Sequence, residues 1–210
     1  MPAEPNADCQ LCPRLADFRR ANKAAYPEFF NAPVPSFGGE DAQVLIVGLA
    51  PGLKGANRTG RPFTGDFAGD LLYRTLLDFG FAKGVYKADP ADGLRLQDCM
   101  ITNAVRCVPP LNKPTGSEAV TCRRFLAAQI AGLARLRVIV ALGRIAHDNT
   151  LAALDKRRAA YAFGHGAVHD LADGRQLIDS FHCSRYNTNT GKLTPAMFAD
   201  VFAKAREHLR

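Results

Sequence analysis

Val44–Asp66 reads VLIVGLAPGLKGANRTGRPFTGD, an apolar run joined directly to a glycine-rich loop. Val44–Val47 is continuously apolar and stops at glycine, the pattern of a strand covered on both faces. The loop Gly48–Asp66 holds five glycines, two prolines and three basic residues. Glycines in such a loop let backbone come close to a ligand. The loop is not a nucleotide cradle of known pattern. Gly48–Gly55 lacks the Gly-Lys-Ser/Thr of a P-loop, and GxGxxG is absent. Asn57, Arg58, Thr64 and Asp66 supply polar groups instead. Phe63, set between Pro62 and Thr64, reads either as a packing anchor under the loop or as a stacking platform for a planar base.

Three further apolar runs, Met100–Val105, Val138–Leu142 and Gln176–Ser180, complete a set of four strands. Helical spacing runs through Phe67–Phe79, Glu118–Leu136, Arg144–Leu154 and Pro195–Leu209. Thr115 and Ser117 offer N-caps to the second of these, with Pro114 just upstream. Alternation of this kind predicts an α/β fold, a mainly parallel sheet with helices on both faces. The turn-rich stretches Lys83–Gly93 and Val108–Gly116 read as connections, so residues 1–210 form one domain. In such sheets ligands bind beyond the carboxyl ends of the strands. GLAPG, Asn103 in TNAVRC, GRIAH and HCSRYNTNTG then converge on one edge, the expected active site.

Lys plus Arg outnumber Asp plus Glu by 27 to 20, giving a net charge of +7 and a pI near 9.3. That surplus suits a polyanion such as nucleic acid, against the plainer reading of a merely basic surface. No apolar run approaches the roughly 20 residues of a membrane span. MPAEPNADCQLCPR has no apolar signal core. A cytoplasmic protein is therefore expected, in a compartment where structural disulfides are rare. The six cysteines then need another explanation. Cys9 and Cys12 form CxxC, and Cys107 and Cys122 lie fifteen residues apart. Four thiolates on one metal centre is the natural reading. Zinc favours two close pairs, whereas a [4Fe–4S] cluster accepts irregular spacing. An incidental CxxC or a redox pair stays open. Cys99 reads as a small buried hydrophobe.

His182–Gly191, HCSRYNTNTG, combines an imidazole with hydroxyls, amides, an Arg and a Tyr. Such a loop can reach phosphates and insert a side chain into a duplex. His147, His165 and His169 read as structural, with His165 and His169 able to line a neighbouring surface.

GLAPGLKGANRTGRPFTGD, TNAVRC, ALGRIAH and HCSRYNTNTGKLT, in that order with the four cysteines interleaved, resemble the iron–sulfur uracil-DNA glycosylases, family 5 (type B) in particular. The resemblance spans nearly the whole chain. It implies a three-layer α/β/α domain with a four-stranded parallel sheet, and a structural [4Fe–4S] cluster on Cys9, Cys12, Cys107 and Cys122. It also implies a monomeric, nucleoid-associated enzyme that removes uracil, and often other deaminated bases, from DNA. Family 4 relatives carry a carboxylate where this chain has Leu49, and the archetypal uracil glycosylases place an Asp where it has Ala50. Pro commonly stands where this chain has Cys183, so a looser final loop is expected here.

On that footing Gly48 and Ala50 bring backbone to the flipped nucleotide, and Phe63 stacks on its base. Asn103 reads the base edge, and His182 bonds the leaving O2. Asp66 orients water, with Asn57 the second candidate. Arg58, Arg61, Ser184, Arg185 and Lys192 are the expected phosphate contacts. Two other readings remain: a non-catalytic binder of damaged or abasic DNA, and a zinc-stabilised nucleotide-binding protein.

Overall fold

Alternate residues of each central strand enter opposite layers. Val44 and Ile46 pack with Val138, Val140 and Ile178 on one face, while Leu45 and Val47 pack with Ile139, Ala141 and Leu177 on the other. This two-residue period is what buried parallel strands impose. In the computed structural model, which describes residues 4–209, the strands are β1 (Phe37–Gly38), β2 (Val44–Gly48), β3 (Ala82–Lys83), β4 (Arg95–Leu96), β5 (Cys99–Asn103), β6 (Val138–Leu142), β7 (Val168–Asp170) and β8 (Gln176–Ser180). The helices are α1 (Pro13–Ala25), α2 (Ala56–Thr59), α3 (Phe67–Asp78), α4 (Gly116–Gly132), α5 (Arg144–Ala153), α6 (Arg185–Asn189) and α7 (Pro195–Glu207). The one-domain reading of residues 1–210, and the start of the stretch read for a signal core, extend outside the described residues. No described helix is long and apolar enough to cross a membrane.

The main sheet has the order β1-β5-β2-β6-β8-β7. β5, β2, β6 and β8 are parallel, as expected, with Gly48 level with Asn103. The four-stranded expectation is corrected to six, because β1 and β7 add antiparallel edges. Two- and three-residue strands such as FG and VHD carry no apolar run to announce them. β3 and β4 pair separately.

Helices α3 and α7 cover one face through Leu72, Leu76, Phe198 and Phe202. Helices α4 and α5 cover the other through Leu126, Ile130, Ala146 and Leu151. Burying each such side chain contributes about 1.5–3 kcal/mol. The helix starts are set by side chains. Thr115 and Glu118 form a reciprocal capping box on α4, and Thr194 caps α7 with Pro195 in its first turn. Thr115 rather than Ser117 is the cap, so α4 starts at Gly116, and it ends at Gly132, short of the expected Leu136. Helix α1 was not expected. Its buried stripe is Leu15, Ala16, Arg19 and Asn22, half of it polar, so it leaves little hydrophobic period to read.

Behind β8 lies a polar knot. Asp179, fully buried, accepts from His147 Nδ1 at 2.7 Å, His169 Nε2 at 2.9 Å and the Gly164 N–H at 3.2 Å. His147 Nε2 also faces the Tyr161 carbonyl at 2.9 Å. Both nitrogens of His147 thus face oxygen acceptors, an arrangement that favours the charged imidazolium. Burial opposes that charge, but the Asp179 carboxylate outweighs it and raises the pKa. A raised folded-state pKa means stabilisation that is complete below about pH 6.5, the unfolded value, and lost as pH climbs through the folded value. Asp179→Asn is expected to cost about 3 kcal/mol near pH 6, and its deficit against wild type should shrink by about pH 9. Urea unfolding of both proteins at the two pH values measures this.

Candidate functional site

Because β2, β5, β6 and β8 run the same way, their carboxyl ends deliver Gly48, Asn103, Gly143 and His182 to one edge. Gly48 is where three segments meet. A Cβ there would sit 2.6 Å from Phe63 Cζ and collide with Asn103 Oδ1, so only glycine admits both side chains. Phe63 belongs to the core, yet its ring centroid lies 6.0 Å from that of His182. It is thus the packing anchor of the first reading, with one side turned to the site. Phe63 also sits at φ +52, a left-handed conformation that costs a non-glycine residue about 1–2 kcal/mol. Asn103 is 3% exposed and its Oδ1 has no hydrogen-bond partner. A buried acceptor left unmet costs about 1–3 kcal/mol, so this amide is built to be satisfied by something else.

Beside this group opens a cavity of about 520 Å³, lined by Leu49, Ala50, Gly52, Lys54, Gly55, Asp66, Phe67, Asn112, His182, Ser184 and Arg185. Asp66 caps α3, its Oδ1 accepting from the Gly69 N–H at 3.1 Å. Its other face abuts the turn at Gly55, where a Cβ would be 2.9 Å from the Asp66 carboxyl carbon. Burial raises the Asp66 pKa, and the Gly69 N–H only partly offsets this. Burial alone pulls His182 down to about 4, so its ring is neutral at neutral pH. A carboxylate and a neutral imidazole therefore share one cavity wall. A second cavity, about 550 Å³, shares Leu49 and His182 with the first and is lined by Arg144, Phe163, His165, Phe181, Asn187 and Lys192.

Two of the expected site residues are corrected. Arg61 is not free to meet phosphate: it is 4% exposed, and its guanidinium makes two 2.8 Å bonds to Asp92. It also lies over the rings of Phe37, Tyr73 and Tyr86 at 5.3–5.7 Å. The guanidinium holds the Asp92 carboxyl well below the usual carboxylate range. Arg61 thus fastens the glycine loop to the Lys87–Leu94 turn, whose N–H groups also bond Asp92. Asn57 is fully buried, donates to Asn31 Oδ1 at 2.9 Å, and does not line the cavity. It braces the loop from behind rather than lining the cavity, and its Oδ1, like that of Asn103, has no hydrogen-bond partner.

The other expected phosphate contacts are open to solvent in varying degree. Arg58 is exposed, Ser184 caps α6, Arg185 lies over Phe67 at 5.4 Å, and Lys192 over Phe181 at 4.9 Å. The final loop is partly helical, over Arg185–Asn189. Cys183 is fully buried in the core and its thiol reaches the Ala68 carbonyl at 3.5 Å. Lys54 and Arg144, which lie within the quoted motifs without being named there, and Asn112, outside them, also line the cavities.

Cys9, Cys12, Cys107 and Cys122 line a separate enclosed pocket between α1 and α4, together with Arg19, Arg106 and Phe125. Arg19 Nη1 donates to Cys107 Sγ at 3.2 Å, and the Arg106 N–H to Cys122 Sγ at 3.4 Å. Burial pushes the Cys12 and Cys107 thiols up, and Cys122 to about 11. Arg106 is 1% exposed and its Nε and Nη2 have no partner. Among the described residues, only His147, His169 and Asp179 put three ligand atoms within 4.8 Å of one another. No three of the four sulfurs lie all within 4.8 Å of one another. Four cysteines and two buried guanidinium groups thus face one pocket, a donor set that can hold a metal centre.

A model of the Uracil DNA glycosylase superfamily matches residues 35–206. The chain is 45% identical to the type-5 uracil-DNA glycosylase of Thermus thermophilus, over 94% of this chain and 92% of that one. It is 42% identical to the type-5 uracil-DNA glycosylase of Mycobacterium leprae, over 95% and 90%. With the type-4 uracil-DNA glycosylase of Thermotoga maritima it shares 31% identity, over 82% and 81%. The matched span includes the β2 loop, Asn103 and the His182 loop, so the chain belongs to the uracil DNA glycosylase superfamily and, within it, to the type-5 uracil-DNA glycosylases.

Proposed function

We propose that the chain hydrolyses the N-glycosidic bond of uracil in DNA, releasing the base and leaving an abasic site. The observation that carries this reading is the unmet, buried Asn103 Oδ1 beside Gly48 and Phe63. A carboxamide presents an acceptor and a donor side by side, the complement of uracil N3–H and O4. The nucleotide must first leave the duplex, since a stacked base is out of reach. Phe63 then packs on the extruded ring, while Gly48 and Ala50 allow close backbone approach.

Departure of the base puts negative charge on its O2 and positive charge on the sugar. A neutral His182 donates a hydrogen bond to O2 that strengthens as charge builds. Its low pKa suits that role, because a neutral donor leaves Asp66 unpaired to face the sugar cation. Asp66, ionised, orients a water and stabilises the oxocarbenium-like centre. An oxocarbenium needs only a placed water, which is how a site with Leu49 and Ala50 in place of acids can still work. Arg58, Ser184, Arg185 and Lys192 hold flanking phosphates.

Cys9, Cys12, Cys107 and Cys122 would hold a [4Fe–4S] cluster, which when bound supplies a structural tie between the N-terminal arm and α4. Arg19 and Arg106 would balance the thiolate charge. Anaerobically purified protein is expected to carry about four irons and four sulfides per chain; about one zinc instead would reject the cluster.

Asp66→Asn keeps a helix cap but removes the charge. It should slow single-turnover uracil release by about 10²–10³ while leaving duplex binding in place. In wild type, release should fall on the acid side, because Asp66 with its raised pKa takes up a proton there. The Asn variant should lack that limb until His182 titrates near 4. Undiminished release by Asp66→Asn would remove Asp66 from the reaction. Arg185→Ala should reduce the slope of log binding constant against log salt by about one.

A further inference from the structure

Leu111 is 86% exposed, more than the other exposed large apolar side chains named among the described residues. It stands at the tip of Val108–Gly116, the connection between Cys107 and α4. Leu111 and Asn112 both have left-handed backbone, at φ +54 and +56. A leucine gains nothing locally from that conformation, which persists only where the surroundings enforce it. They do so here. Pro109 and Pro110 precede the tip and Pro114 follows it. The Asn112 N–H donates to the Pro109 carbonyl at 3.2 Å and the Lys113 N–H to the Pro110 carbonyl at 3.0 Å. Arg14 reaches the Lys113 carbonyl at 3.2 Å while pairing with Glu118 of the α4 capping box. The loop is therefore a stiff support that holds one apolar side chain in water.

Its position gives the exposure a purpose. Asn112, the next residue, lines the cavity shared by Asp66 and His182, and Tyr186, 74% exposed, follows Ser184 and Arg185 on the same wall. Extruding a nucleotide leaves a gap in the base stack, and a rigid apolar wedge beside the receiving pocket is what keeps such a gap open. We propose that Leu111 enters the base stack of duplex DNA and holds it open while the target nucleotide occupies the site. This rests on the glycosylase reading above. It assigns a duplex-opening role to the loop between the second pair of cysteines.

Single-turnover uracil release from duplex and from single-stranded DNA separates this role from a general defect. Leu111→Ala should lower duplex release by about tenfold or more, with a much smaller change on single strands, and Leu111→Met should recover most of the loss. Fluorescence of 2-aminopurine placed beside an abasic-site analogue gives a readout independent of cleavage. Wild type should raise it on binding, and Leu111→Ala should not. Equal duplex rates, or equal losses on both substrates, would overturn the wedge. A Leu111-dependent fluorescence rise without any base release by wild type would instead keep the wedge and reject the glycosylase reading.

Discussion

Parallel pairing of strands that are buried on both faces is the constraint from which the site follows. Such strands cannot return by a tight turn, so each must cross over through a helix and re-enter from the same end. All four carboxyl ends are thereby sent to one edge, whatever their sequences. The level pairing of Gly48 with Asn103 then fixes how near the first loop and the amide stand. The absence of a Cβ at Gly48 leaves just enough space for Asn103 and Phe63 to meet. The unmet amide oxygen is sustained by the surrounding core, whose tight packing offers it no alternative partner.

Around that edge, buried charge is used for fastening more than for chemistry. Arg61 with Asp92 ties one loop to another, His147 with Asp179 ties α5 to β8, and Arg106 holds Glu4 of the N-terminal arm at 2.8 Å. Desolvating these groups is costly, and only the close partners make them tolerable. Arg106 is the exception, since two of its nitrogens remain unmatched beside the cysteines. The protein thus distinguishes arginines that lock the scaffold from exposed ones, Arg58 and Arg185, that are free to meet a polyanion.

Much of this was legible in the sequence, for identifiable reasons. Val44–Val47 and Val138–Leu142 are continuous apolar runs because both faces are covered, and such runs are hard to mistake. Asp66 and His182 stand out in sequence because Asp66 closes the glycine loop and His182 follows an apolar run, and the structure sets both on one cavity. β1 and β7 were missed because two or three hydrogen-bonded residues need no hydrophobic period. α1 was missed because Arg19 and Asn22 occupy its buried stripe, Arg19 facing the cysteine pocket. Arg61 and Asn57 were misplaced for a different reason. Residue type signals what a side chain can do, but their partners Asp92 and Asn31 lie 31 and 26 residues away, and no local pattern reports them.

Asp66 joins two selective pressures at one carboxyl group. As the cap of α3 it contributes to the stability of a helix that covers the sheet, and as a cavity acid it faces the proposed chemistry. Among the twenty side chains, Asn and Ser can replace the first contribution and only another acid the second. A lineage that lost the activity would therefore still be discouraged from losing a small capping residue here. Retention of Asp at this position across relatives would be weak testimony to catalysis, whereas drift to Asn or Ser would mark the chains in which the chemistry had lapsed.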